Sequence, residues 1–138
     1  MSALLASPAA ALDVPDLEAR GYQRLTCEFH ERCLIGQPCE RAWRYLTWHV
    51  LVAEESGFRE MDNGRLRRVE VRQDARWGDL SDGLSILSPM REAVASHLTM
   101  FDGGGAIYAI QYAANPGSGQ FLLGHCNLAP ARSDEDME

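Results

Sequence analysis

Lysine is missing from this sequence, and all 13 basic residues are arginine. We interpret this as a compositional bias of the source and infer no function from it. The 20 acidic residues bring the net charge to −7. An acidic surface repels the phosphate backbone of nucleic acids and the headgroups of anionic membranes. The sequence therefore predicts neither direct nucleic-acid binding nor membrane binding.

Long apolar runs are missing too, and no segment approaches the roughly 20 apolar residues that a membrane-spanning helix needs. The Ala-rich residues 1–12 have no basic residue before their apolar stretch, whereas a secretory signal has one. We therefore expect a flexible arm at 1–12 and a cytoplasmic protein. Residues 13–130 have the length of a single domain with one core. The acidic residues 131–138 predict a disordered tail.

The segment 22–35 carries two periodicities at once. Apolar and polar residues alternate along most of it, which predicts a strand. Leu25, Phe29 and Cys33 also recur every four residues, so a helix is the alternative.

Two hairpins are predicted further along the chain. Asp62-Asn63-Gly64 has the composition of a type I′ turn and would join 58–61 to 65–73. The second hairpin would join 106–113 to 120–128 through the turn at 115–119.

An apolar stripe at helical spacing predicts a helix from Pro38 to Ser56. Its members are Cys39, Ala42, Trp43, Leu46, Val50 and Ala53. A second helix is predicted from Pro89 to Phe101, and a short one after Asp13. The predicted fold class is α+β, with a mostly antiparallel sheet of about five strands covered by two main helices.

Cys39 is the sharpest chemical candidate, because a thiol in the first turn of a helix has a lowered pKa and can act as a nucleophile. His125 would be its base, with His97 as the alternative. Asn127 would share a strand face with His125 and orient it. The competing interpretation is that Cys39 is a buried member of the apolar stripe.

Metal and cofactor sites are not expected. Cys27, His30, Cys33 and Cys39 are the residue types that bind zinc, but they lack the Cys-x2-Cys pair of compact zinc sites. The run Gly103–Gly105 would follow a helix and precede a strand, which is the reverse of a phosphate-binding loop.

The charge is uneven along the chain. From residue 59 to 76, six Arg stand against four acidic residues, and the remainder carries −9. Arginines and aromatic residues that lie off the helical stripe are candidates for contact with a protein partner, although the arginines also suit a solvated strand edge. The candidates are Tyr45, Trp48, Arg65, Arg67, Arg68 and Trp77.

Small size, acidity and the lack of a complete catalytic motif favour a non-enzymatic function. The sequence predicts a bacterial, phage or mobile-element accessory protein that binds and modulates or inhibits a protein partner, as immunity and anti-defence proteins do. The alternative is a thiol-dependent hydrolase or transferase with Cys39 as nucleophile and His125 as base.

Overall fold

A computed structural model of the chain describes residues 12–74, 83–91, 94–101, 103–112 and 119–129. Eight antiparallel strands form a closed barrel in which each strand pairs with the next and β8 pairs with β1. The strands are β1 Gln23–Leu34, β2 Glu40–Leu51, β3 Ser56–Glu60, β4 Leu66–Asp74, β5 Gly83–Arg91, β6 Val94–Met100, β7 Gly105–Tyr112 and β8 Gln120–Leu128.

The core fills the inside of the barrel. Alternate residues of each strand point inward, as Leu46, Trp48 and Val50 of β2 do. Trp48 packs edge-on against Tyr108 of β7 at a ring-centroid distance of 5.6 Å. An eight-stranded barrel is just wide enough to be filled by side chains or to hold one small ligand, and these rings close its middle.

A short helix, α1 Val14–Ala19, precedes the barrel, and Asp13 caps its N-terminus with a reciprocal hydrogen bond to Asp16. Leu17 of α1 is fully buried. A 3-10 turn, Val52–Glu54, joins β2 to β3. No helix in the described ranges is both long and apolar enough to cross a membrane.

The first and last strands close the barrel, and a disulfide between Cys27 and Cys126 links them. The pairing shifts register between Phe29 and Glu31. Gly124 lies opposite Phe29, and a Cβ there would overlap the carbonyl oxygen of Glu28. Close backbone approach at this bulge therefore requires glycine.

The predicted α+β fold class is wrong, because the sheet is a closed barrel and α1 is the only α-helix in the described part of the chain. The predicted helix from Pro38 to Ser56 is mostly β2, followed by the 3-10 turn. This segment also alternates with period two, since Leu46, Trp48 and Val50 all face the core. Its aromatic and β-branched residues suit strands, and pairing with β1 and β3 decides between the two periods.

The predicted helix from Pro89 to Phe101 is also wrong, because its described residues up to Met100 belong to the end of β5 and to β6. Leu98 faces the core and pairs with Ile86 and Tyr108 on the neighbouring strands. Cross-strand partners of this kind are distant in sequence, so the local pattern of apolar residues did not reveal them.

The strand predicted at 22–35 is confirmed as β1, and both predicted strand pairs are confirmed as β3–β4 and β7–β8. The turn at Asp62-Asn63-Gly64 forms, but among its residues only Gly64 has a positive φ, of 84°. The amide of Gly64 donates to the Met61 carbonyl, which makes a type I turn followed by a left-handed glycine. The turn at 115–118 and the tail at 131–138 lie outside the described residues, as does the arm before Leu12.

Candidate functional site

A cavity of about 200 Å³ opens at the end of the barrel where β1 turns into β2 and β3 turns into β4. We call it the cup. Tyr108 lies at its floor and packs against the buried ring of Trp48. Inward-facing residues of seven strands line it: Arg44, Arg59, Arg67, Ser88, Val94, Ser96, Tyr108, Ile110, Tyr112 and Gln120.

Three arginines form one wall of the cup. Arg44, Arg59 and Arg67 come from the adjacent strands β2, β3 and β4. Arg59 and Arg67 are direct cross-strand partners, and like charges in that position repel each other. No acidic residue is among the described residues that line the cup. The cup therefore concentrates positive charge inside a protein whose net charge is −7.

Arg59 is held against the floor of the cup. Its Nη1 donates a hydrogen bond of 3.0 Å to the Tyr108 hydroxyl, and its guanidinium lies 5.8 Å from the Tyr108 ring centroid. Its Nε is buried and finds no acceptor in the described part of the chain. Trp48, directly opposite on β2, also has a buried ring N–H without an acceptor there. Unpaired buried donors of this kind cost about 1–3 kcal/mol each.

The opposite wall combines apolar carbon with hydroxyl groups. Val94 pairs with Tyr112 across β6 and β7, and Ser96 pairs with Ile110. The Tyr112 hydroxyl accepts a hydrogen bond of 3.1 Å from Gln120 Nε2. Since the hydroxyls of Tyr108 and Tyr112 both accept from neighbours, each keeps its own proton for donation.

The described lining of the cup thus offers many hydrogen-bond donors and no carboxylate. Arginine forks match the geometry of carboxylate and phosphate groups. A volume of about 200 Å³ equals that of about seven liquid waters, so the cup suits a small anion.

The other end of the barrel has a larger hollow of about 310 Å³, which includes Val52, Met100 and Phe101. None of its described lining residues is charged. Its described lining therefore offers no charge that would fix an ionic ligand.

The predicted nucleophile Cys39 forms a disulfide with Cys33 in the turn between β1 and β2. With Cys27 and Cys126 also paired, all four cysteines are in disulfides. The catalytic role of Cys39 thus stays a prediction for the reduced chain. Among the described residues, no three His, Cys, Asp or Glu side chains lie close enough together to hold a metal ion.

The predicted base is not close to Cys39. Cys33 pairs with Phe121 on β8, and His125 lies four residues further along that strand, or about 13 Å away. His125 and Asn127 do lie on one face of β8, the outer one, and both are exposed. His97, the alternative base, lies on β6 between Leu87 and Ala109.

The aromatic residues predicted to contact a partner lie in different environments. Trp48 is fully buried in the core, whereas Tyr45 is 65% exposed on the outer face of β2 beside Trp43, which is 60% exposed. Trp77 lies outside the described residues.

The arginines predicted to contact a partner also lie in different environments. Arg67 lines the cup, Arg65 is exposed beside the β3–β4 turn, and Arg68 lies outside the barrel with its guanidinium 5.1 Å from the Phe58 ring centroid. Sequence reasoning missed Arg44 and Arg59 as site residues. Each is a charged residue at a strand position whose side chain points into the barrel. Such a position can be identified in the sequence only once the strands are known.

A second buried polar group is His49, on the outer face of β2. Its side chain is fully buried, and its Nε2 lies 3.7 Å from a Glu60 carboxylate oxygen. Burial lowers the pKa of His49 below its usual 6.5, while the charge of Glu60 opposes this shift and that of Arg24 adds to it. His49 is therefore mainly neutral at pH 7.

No protein-family model, curated protein or solved structure matches this chain. The candidate site thus rests on the geometry of the barrel alone.

Proposed function

We propose that this protein is a binding protein for a small anion, which it holds in the cup. The observation that carries the proposal is the direct pairing of Arg59 with Arg67 inside a cavity without described acidic residues. Two guanidinium groups that extend from paired positions on one face of a sheet repel each other unless an anion lies between or beside them.

The surroundings of Arg59 support the same proposal. Its buried Nε needs an acceptor, and the mouths of β-barrels are common places for small-molecule sites. A bound carboxylate or phosphate oxygen would satisfy this donor and compensate the paired charges.

Isothermal titration calorimetry with benzoate and inorganic phosphate tests the proposal. Arg59→Gln and Arg67→Gln should each weaken binding of the anion that binds by about 10- to 100-fold, because each removes a charge-assisted hydrogen bond. Arg72→Gln is the matched control, since Arg72 is exposed on the outer face of β4. Affinity unchanged in both cup variants, or binding of neither anion, would overturn the proposal.

A stability measurement guards against misfolding as the cause. Without ligand, Arg67→Gln should unfold in urea at the same or a higher concentration than the unsubstituted chain, because it relieves the repulsion with Arg59.

The predicted protein partner remains a second proposal, favoured by the exposure of Tyr45 and Trp43. Co-purification from the native host with the unsubstituted chain and with Tyr45→Ser tests it. A stoichiometric partner lost on substitution would support the proposal. Equal capture by both chains would reject this surface.

The cytoplasmic location also remains a prediction. The two disulfides favour an oxidising compartment instead. Counting free thiols in denaturant, in protein isolated from its host without reductant, distinguishes the two, since a cytoplasmic protein should have four free thiols and an oxidised one none.

A further inference from the structure

We propose that the ligand of the cup is a small carboxylic acid with an apolar body, such as an aromatic ring, rather than an inorganic oxyanion. This inference rests on the proposed function and specifies the ligand class. It follows from the two unlike walls of the cup, one cationic and one that combines apolar carbon with neutral polar groups.

The cationic wall suits a planar carboxylate. Arg59 uses Nη1 to hold Tyr108, and its Nε is buried without an acceptor in the described part of the chain. Nε and Nη2 form one edge of the guanidinium, and a turn of the side chain that brings this edge into the cup would let it donate the two parallel hydrogen bonds that a carboxylate accepts. Arg67, directly opposite on β4, adds a second positive charge on the same side.

The neutral wall offers apolar carbon beside its hydroxyl groups. Val94, Ile110 and the Tyr112 ring lie on β6 and β7, across the barrel from the arginine strands β2 to β4. A ligand with a carboxylate at one end and carbon at the other would place its carboxylate against the arginines and its carbon against this wall.

An inorganic oxyanion fits this arrangement poorly. Phosphate and sulfate carry oxygens on every side, so the oxygens that the Ser96 and Tyr112 hydroxyls do not reach would face Val94 and Ile110. Oxygens that lose their hydration against apolar carbon without gaining a hydrogen bond raise the free energy of the complex. A carboxylate on an apolar body keeps its oxygens on one side.

The test is calorimetric titration with five probes: benzoate, acetate, benzamide, phenyl phosphate and inorganic phosphate. Benzoate should bind at least tenfold more tightly than acetate, because its ring is buried. It should also bind at least tenfold more tightly than the neutral isostere benzamide and than either phosphate.

Two variants test which wall contacts which part of the ligand. Arg59→Gln should weaken benzoate and acetate alike by about 10- to 100-fold. Val94→Thr, which keeps the shape and adds a hydroxyl, should weaken benzoate roughly fivefold and leave acetate unchanged.

The outcomes separate the two proposals. Phosphate or phenyl phosphate binding as tightly as benzoate, with dependence on Arg59, would overturn the carboxylate inference and keep the anion-binding function. Benzoate affinity insensitive to Val94→Thr, or no tighter than that of acetate, would also overturn the inference alone. No Arg59-dependent binding of any probe would overturn both.

Discussion

At the scale of single residues, the Arg59 Nε and the His49 ring are buried polar groups on adjacent strands with different surroundings. Arg59 faces into the barrel, among donors and another arginine. His49 faces outward and has Glu60 beside it. The Arg59 Nε finds no acceptor among the described residues and suits a ligand, whereas the His49 ring has a lowered pKa and makes stability depend on pH.

His49 makes stability depend on pH. Because burial lowers its pKa in the folded state, the unfolded chain binds a proton below about pH 6.5 that the folded chain resists. The free energy of unfolding should therefore fall as the pH drops from 6.5 towards the lower pKa of the folded state. The slope contributed by His49 is at most about 1.4 kcal/mol per pH unit. Urea denaturation at pH 7.5, 6.5 and 5.5 measures it.

His49→Leu isolates this effect, since the variant should lose the part of the slope that His49 contributes. His125→Gln is the control, because His125 is exposed on the outer face of β8, and it should keep the His49 contribution. Equal slopes in the unsubstituted chain and His49→Leu would contradict the prediction.

At the scale of elements, the contact between β1 and β8 closes the barrel and depends on Gly124. A Cβ at this position would overlap the Glu28 carbonyl and lie 2.6 Å from the Phe29 Cα. Gly124→Ala should therefore destabilise the fold by about 1–3 kcal/mol or more, as overpacking does elsewhere. Thermal and urea denaturation measure the change.

Gly105→Ala is a matched control on the neighbouring strand β7. A Cβ there meets nothing within 4 Å, so the change should stay within about 0.5 kcal/mol. Similar losses in the two variants would mean that glycine is needed for a reason other than the close backbone approach at Gly124.

The error over β2 also belongs to this scale. Its apolar residues satisfy both a helical stripe and an alternating pattern, and its Pro38 and Gly57 flanks match helix ends. Pairing with β1 on one side and β3 on the other selects the alternating pattern. By contrast, the turn at Asn63-Gly64 depends on local chemistry, and the sequence predicted its position correctly.

At the scale of the whole molecule, the two disulfides constrain very different lengths of chain. Cys27–Cys126 spans 99 residues and joins the first and last strands, whereas Cys33–Cys39 spans six. Chain entropy predicts that removing the long link costs about 4.7 kcal/mol and the short one about 2 kcal/mol. Denaturation of the double variants Cys27→Ala/Cys126→Ala and Cys33→Ala/Cys39→Ala should reproduce this order.

Reduction provides the check on cavities left by the substitutions. Dithiothreitol added to the Cys33→Ala/Cys39→Ala variant reduces the Cys27–Cys126 disulfide to two thiols. This breaks the long link and leaves both sulfur atoms in the core, so no cavity is created. A stability loss on reduction smaller than that of the short link would contradict the entropic ranking.

The sequence by itself determined the features that depend on near neighbours: the α1 cap at Asp13, strand β1, both hairpins and the surplus of arginine from residue 59 to 76. It also singled out Arg67, though as a residue for contact with a protein. Only the tertiary structure decided that β2 is a strand and that β8 returns to β1. Only the closed barrel aims Arg44, Arg59 and Arg67 into one cavity, because strand pairing fixes which face of each strand turns inward.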